Sequence, residues 1–233
     1  MKTTVEEYTG DVPAGVAAMR LRTELEALQA RLKALESPPV VKGDGKLLKL
    51  DLGCSSNKQP GFLGVDRSQR LDKEGKPTVD VVHDLTVAPW PWADNSVEEV
   101  HCSHVLEHIP ARKRIIFFNE MHRVLVKGGK ARIATPHWCS NRAYGDVTHE
   151  WPAVSEMFWF YLDPKWREIN APHLHGPACP DALPGEVYTC DFEANWGYSL
   201  APWMMNRNQE WQGMALAQYK EAAQDMLATL TKR

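Results

Sequence analysis

From residue 46 onward the pattern of apolar and polar positions changes period several times, and each change marks an element. "KLLKLDLG" (46–53) and "GFLGVD" (61–66) are short apolar runs bounded by turn residues, and they predict two strands. "TVDVVHDL" (78–85) and "SVEEVHCSH" (96–104) predict a third and a fourth. In "ARKRIIFFNEMHRVLV" (111–126) the period lengthens. Ile115, Phe118, Met121, His122 and Leu125 fall on one face of a helix. Pro110 stands at its start, where proline is favoured, and "KGG" (127–129) predicts its end. "KARIATP" (130–136) predicts a fifth strand. Strands alternating with crossover segments imply an α/β fold built on a doubly wound, mostly parallel sheet.

The rhythm fails after Pro136. Residues 137–186 are rich in Trp, His and Pro, and only "AVSEMFWFYL" (153–162) reads as helix. A long irregular insertion in a compact domain commonly carries function. "EVYTCDFEANWGYSL" (186–200) returns to strand-like alternation. The C-terminal segment begins as a helix, and its tail "MLATLTK" (226–232) also fits a closing edge strand. Ahead of all this, Leu21, Leu25, Leu28, Leu32 and Leu35 alternate steps of four and three. That is the seam of a coiled coil about three heptads long, or the apolar stripe of a helix packed on its own domain. "SPPVVKGDG" (37–45) then breaks the helix as a linker.

Composition narrows the class only a little. The chain has 233 residues and a formal net charge of −3, so no global basic field invites nucleic acid. No apolar run approaches the length of a membrane span. Five cysteines (54, 102, 139, 179 and 190) at irregular spacings, with no apolar signal segment at the start, are expected to be reduced thiols in a cytoplasmic protein.

The turn after the first strand is the most informative stretch. In a doubly wound sheet, ligands sit beyond the carboxyl ends of the strands. Those ends carry Asp51 with Gly53, then Asp66, Asp84, and Ser103 with His104. A dinucleotide site needs several glycines so that backbone can approach a pyrophosphate. Here Gly53 is followed by Cys54, Ser55, Ser56 and Asn57. Only residues 53–61 separate Leu52 from Phe62, too few for an ordinary crossover, so the first helix is expected to be one turn or missing. A cationic nucleoside without phosphates suits such a turn better. In S-adenosylmethionine (SAM), the ribose hydroxyls want a carboxylate, expected from Asp66. The adenine amino group wants an acceptor, expected from Asp84. The ammonium and sulfonium groups suit the turn at Asp51 and Gly53. For Asp51 a purely structural role, holding the turn, stands beside this one. For Asp66 and Asp84 the competing role is a turn or cap acid.

"LDLGC", "GVD", "HDL", "DNSVEEVHCSHVLEHI" and "EMHRVLVKGGKARIATP", in this order, resemble the class I SAM-dependent methyltransferases. The branch is the methyltransferase-11-like one, with "LEH" after strand four and a glycine pair before strand five. The resemblance covers about residues 46–136, and "GDVTHEWPAVSEMFWFYL" resembles a "GDPTH" segment found after strand five in a subset of the family. It implies a Rossmann-like methyltransferase domain over 46–233, with 137–186 as the acceptor-side insertion and 1–45 as a helical extension and linker. It also implies SAM contacts from Asp51, Gly53, Cys54, Ser55, Asp66, Arg67, Asp84, Leu85, Ser103 and His104. The chain departs from the family pattern at Ser55 and Asn57, where glycines are usual, and in the shortened first helix.

Methyl transfer to oxygen or neutral nitrogen needs alignment and a proton acceptor, for which histidine is suited near neutral pH. His104 lies beside the expected methyl, whereas His108 is as readily a residue packing the following helix. His149, with Asp146 three residues before it to orient the ring, is the second candidate for base or acceptor-binding residue. His137, Cys139, His149, His173, His175, Cys179 and Cys190 form a His/Cys-rich stretch, but their spacings match no common zinc pattern and no metal is expected. The tryptophans at 138, 151, 159, 166, 196, 203 and 211 suggest an aromatic lid over the acceptor, or a core for the insertion.

The expected function is therefore SAM-dependent methylation of an O or N acceptor on a small molecule or glycan, with self-association through residues 14–36. Nucleic-acid or nucleotide methylation is the alternative within the class; against it stand the acidic balance and the absence of a DNA-methylase motif after strand four. A non-catalytic SAM-binding scaffold is the alternative outside it, favoured by the altered turn. A nicotinamide-dependent oxidoreductase is disfavoured by the missing glycines.

Overall fold

A computed structural model of the chain describes residues 45–171 and 187–233. Seven strands form one sheet: β1 (Leu48–Leu52), β2 (Leu63–Asp66), β3 (Val81–Val82), β4 (Val97–Ser103), β5 (Leu125–Pro136), β6 (Phe192–Leu200) and β7 (Ala223–Lys232). Their order is β3-β2-β1-β4-β5-β7-β6. The first five pair in parallel, and β7 runs antiparallel to both β5 and β6. The sheet is therefore the mostly parallel, Rossmann-like one expected. The C-terminal tail is a strand but not an edge: β7 lies inside the sheet and β6 forms the margin.

Helix α1 (Ala111–Val124) packs on the face that carries Leu50, Leu52, Val100, Cys102, Ala131 and Ile133. Its buried positions are Arg114, Phe117, Phe118, Glu120, Met121 and Val124. Two points differ from the sequence pattern. Ile115 and His122 are only partly buried, because the charged Arg114 and Glu120 occupy inward positions that a periodicity count assigns to solvent. The helix also stops at Val124, and Lys127–Gly129 lie inside β5 at a bulge, where Gly128 has φ +78°.

Among the described residues no helix joins β1 to β2, β2 to β3, or β3 to β4. The last of these crossovers is filled by side chains instead. Trp90 and Trp92 are buried against each other and Phe117, Trp90 Nε1–H donates to the Leu85 carbonyl at 3.2 Å, and the Trp90 N–H donates to Glu120. The alternate residues of the strands turn to the second face, which is polar: Lys49, Glu99, Lys130 and Thr231 are in register, and so are Asp51, His101, Arg132 and Thr229. Glu99 ties this face together by pairing with both Lys49, at 3.1 Å, and Arg132.

After β5 come α2 (Arg142–Gly145), α3 (Glu156–Phe160) and α4 (Pro164–Asn170), then α5 (Gln209–Gln218) between β6 and β7. The described residues belong to one compact unit, Val40–Arg233. The leucine seam at 14–36, the linker, and His173, His175 and Cys179 lie outside the described residues. None of the described helices is long and apolar enough to cross a membrane.

Candidate functional site

The turn after β1 is held by its own side chains. Asp51 is buried; its Oδ2 accepts the Gln59 N–H at 2.7 Å, and its Oδ1 faces His101 Nδ1 at 2.7 Å. Both oxygens of Asp51 thus serve the turn and β4. The Gly53 and Cys54 N–H groups donate to the Val65 carbonyl, Asn57 N–H to Cys54, and Ser55 N–H to Asp66 Oδ2 at 3.1 Å. A phosphate-binding loop keeps such N–H groups free for its anion. This turn uses them internally and offers a carboxylate at its rim, which fits a cationic nucleoside and not a dinucleotide. No helix follows it, as the short spacing requires.

Gly53 has φ +69°, and a Cβ there would run into Val105 Cγ2. Only glycine fits, for both reasons. The contact also shows that the loop after β4 lies directly against the turn. Cys54 is buried beside the Ser55 and Thr78 carbonyls. Burial pushes its thiol up to about 11, and Asp51, Asp66 and Asp80 add to the effect. Asp66 is partly exposed at the end of β2 and Arg67 is exposed next to it. Asp84 is exposed; its Oδ1 accepts from the Thr86 N–H and hydroxyl at 2.9 and 2.7 Å. Partial burial opposes ionisation of Asp84, but Thr86, His83 and Arg67 outweigh it and hold its carboxyl below the ordinary value. Leu85 is part of the main core.

Beyond the ends of β4 and β5 opens a cleft of about 660 Å³, lined by His104, Glu107, His108, Arg142, Asp146 and His149 among others. Ser103 ends β4, and His104 follows it with φ +56°. Such a conformation is uncommon for a residue with a side chain and tends to mark functional positions. His104 Nδ1 lies 3.1 Å from Oε1 of the buried Glu107, whose Oε2 accepts the Thr135 hydroxyl at 3.2 Å. The bond to Glu107 raises the His104 pKa above its ordinary value against the cost of burial; the charges of Glu107 and Asp225 assist, and Arg142 opposes.

The "GDVTHE" segment forms the opposite wall. The Glu150 N–H donates to the Glu107 carbonyl at 2.7 Å, fixing the two loops to one another. Asp146 does not hold His149 as a triad would. Its Oδ1 accepts from Thr148 N–H and Oγ1–H at 2.8 and 2.7 Å, while Oδ2 stays 3.8 Å from His149 Nε2. His108 does not merely pack the following helix: its Nδ1 meets the Thr148 carbonyl at 3.3 Å, and its ring stands edge-on to His149 at 4.7 Å.

The described members of the His/Cys-rich stretch part company. His149 joins His108, Cys190 lies in the main core, and His137 bridges Cys139 Sγ, at 2.9 Å, to Glu156, at 3.0 Å. Glu156 and Tyr198 line a second cleft of about 530 Å³ with Trp138. Burial opposes ionisation of Glu156, yet the hydrogen bond from His137 and further polar contacts bring its pKa down to about 2. The tryptophans do not form one lid: Trp159 is buried in the core, and Trp151 and Trp203 are exposed. Sequence reasoning left Glu107, Arg142 and Asp225 unassigned. Glu107 stood inside the quoted "LEH" motif, so its signal was present. Arg142 and Asp225 pair at 3.1 Å across 83 positions, with no local signal.

Residues 50–133 match the family model described as a methyltransferase domain. Solved structures that resemble the chain include a SAM-dependent methyltransferase from Archaeoglobus fulgidus, at 16% identity over 89% of this chain and 94% of that one, with a TM-score of 0.48. A SAM-dependent methyltransferase from Methanosarcina mazei is 13% identical over 83% of this chain and 94% of that one, at 0.46. Phosphoethanolamine N-methyltransferase 2 of Haemonchus contortus, in complex with SAM, is 13% identical over 83% of this chain and 50% of that one, at 0.37. No curated protein sequence matches the chain. The family match takes in the turn after β1 and the loop after β4, and it leaves the segment after β5 outside. Over residues 50–133 the chain thus resembles a methyltransferase domain, on the mostly parallel sheet described above.

Proposed function

We propose that the chain binds SAM and methylates an oxygen or nitrogen of a small molecule or glycan. The observation that carries this reading is the contact of Gly53 with Val105, which sets the turn after β1 directly against the loop bearing His104. Asp66 and Asp84 hold the nucleoside at the rim; Gly53, Cys54, Ser55, Arg67, Leu85 and Ser103 shape the floor. When bound, SAM supplies an electrophilic methyl group on a sulfonium sulfur. His104, its ring fixed by Glu107, takes the proton from the acceptor as the acceptor's lone pair forms the new bond to carbon. Asp146 and His149 position the acceptor from the far wall. The net charge of −3 favours a small molecule or glycan over nucleic acid.

The reading is tested by calorimetric titration of the purified protein with SAM and, separately, S-adenosylhomocysteine. Saturable binding is expected for both, weakened at least about tenfold in Asp66→Ala by loss of a charge-assisted hydrogen bond. Failure of both ligands to bind would overturn it. A cytoplasmic setting and a homodimer through residues 14–36 belong to the same proposal. Light scattering is expected to report a dimer for the full chain and a monomer for the chain lacking residues 1–40; an unchanged oligomer would discard that part.

A further inference from the structure

Two residues that the proposed methyl transfer uses, Glu107 and His149, also form a second constellation with His108. Glu107, His108 and His149 each bring one ligand-type atom within 4.8 Å of the other two. His149 Nδ1 is buried without a hydrogen-bond partner among the described residues. Leaving such a nitrogen unpaired costs about 1–3 kcal/mol, so a partner is expected there. His108 has the complementary arrangement. Its Nδ1 is taken up by the carbonyl and hydroxyl of Thr148, at 3.3 and 3.1 Å, which leaves Nε2 as its available ligand atom. On His149 it is Nε2 that faces a carboxylate, Asp146 Oδ2 at 3.8 Å. The His108 ring is thus engaged at Nδ1, whereas the buried Nδ1 of His149 is without a hydrogen-bond partner among the described residues. Metal-bound histidines direct their outer nitrogen to a carbonyl or carboxylate, as His108 does toward the Thr148 carbonyl. Glu107 adds a negative charge. Its bonds to Thr135 and His104 fix the carboxylate, and a carboxylate accepts more than two partners.

We propose that Glu107, His108 and His149 bind a divalent transition-metal ion in the wall of the cleft. Two imidazoles and one carboxylate select an ion of the zinc, cobalt or manganese kind over magnesium or calcium, which prefer all-oxygen sites. Metal–ligand bonds of about 2.0–2.2 Å require the three atoms to draw together by up to about an ångström. His108 is exposed, and its ring can pivot about its contacts with Thr148 to make that movement. Three protein ligands leave coordination positions open to an acceptor or water. The inference goes beyond the methyltransferase reading and does not depend on it, since metal binding is read without SAM.

The test is titration of the chelator-treated, dialysed full chain with Co²⁺ and Zn²⁺, followed by calorimetry and by the visible absorption of bound Co²⁺. One ion per chain is expected, with ligand-field bands of a nitrogen–oxygen site. His108→Ala, His149→Ala and Glu107→Gln should each weaken binding by about tenfold or more, on the scale by which even outer residues tune such sites. His108→Ala replaces an exposed side chain and keeps the test clear of a folding defect. Absence of saturable binding in the micromolar range would overturn the proposal. So would binding that survives His108→Ala, or that disappears only when His173 and His175 are replaced together.

Discussion

Replacing His104 by asparagine is expected to slow methyl transfer by about 10²- to 10⁴-fold, the usual contribution of a positioned general base, with a far smaller effect on SAM affinity. Asparagine is the informative substitute because His104 sits at φ +56°, and asparagine tolerates that conformation better than most residues. The backbone of the loop is then preserved while the basic nitrogen is lost. The measurement is single-turnover methylation on an identified acceptor, beside a SAM titration of the same variant. Normal turnover in His104→Asn would remove the residue from the mechanism and return attention to His149.

The largest expected effect on stability is at Arg114, which is 1% exposed. Its Nε–H donates to the Ile109 carbonyl at 2.9 Å, and its two terminal nitrogens donate to Pro152 at 2.7 Å and Glu150 at 3.1 Å. The side chain thus clamps the "GDVTHEWP" segment onto α1. In Arg114→Met the apolar stem is kept, but three carbonyl oxygens lose their donor. At about 1–3 kcal/mol for each buried group left unsatisfied, and allowing some to find water, the variant should lose about 3–5 kcal/mol. That corresponds to a fall of roughly 10 °C in Tm for a chain of this length. A denaturation midpoint within experimental error of the parent would show that the clamp contributes nothing. The same variant should weaken acceptor binding more than SAM binding, because Arg114 anchors Glu150 and Pro152, next to residues 145–149 of the far wall, and not the turn after β1.

The parts of this protein that were legible in its sequence are those set by local chemistry. Short apolar runs in 46–66 and 96–104 gave strands, and the nine residues between Leu52 and Phe62 left no room for a helix. The position of His104, just after β4 and at the cleft, was legible too. What stayed hidden was decided by long-range pairing. Arg114 and Glu120 look like solvent-facing charges in any periodicity count, and they are buried because distant backbone groups satisfy them. Asp146 looked like a partner for His149, yet Thr148 is two residues away and takes the carboxylate first. The tail at 226–232 read equally as helix or strand, since its small and β-branched residues leave both open; pairing on two sides decided for a strand.

The polar second face of the sheet has a consequence for how faithfully the strands align. Parallel sheets covered on both faces are apolar on both, so a shift of one residue exchanges one greasy row for another. Here a one-residue slip of β1 or β4 would bring Asp51 or His101 under α1 and put Leu50 or Val100 into the charged row. Both rows would be wrong at once, and Glu99 would lose Lys49. Alternation therefore acts as a proofreading device, penalising misaligned pairings as the chain folds. The ends of β1 and β4 fall opposite each other by this alignment, with Leu52 level with Cys102, so Gly53 and His104 arrive at the same end of the sheet every time.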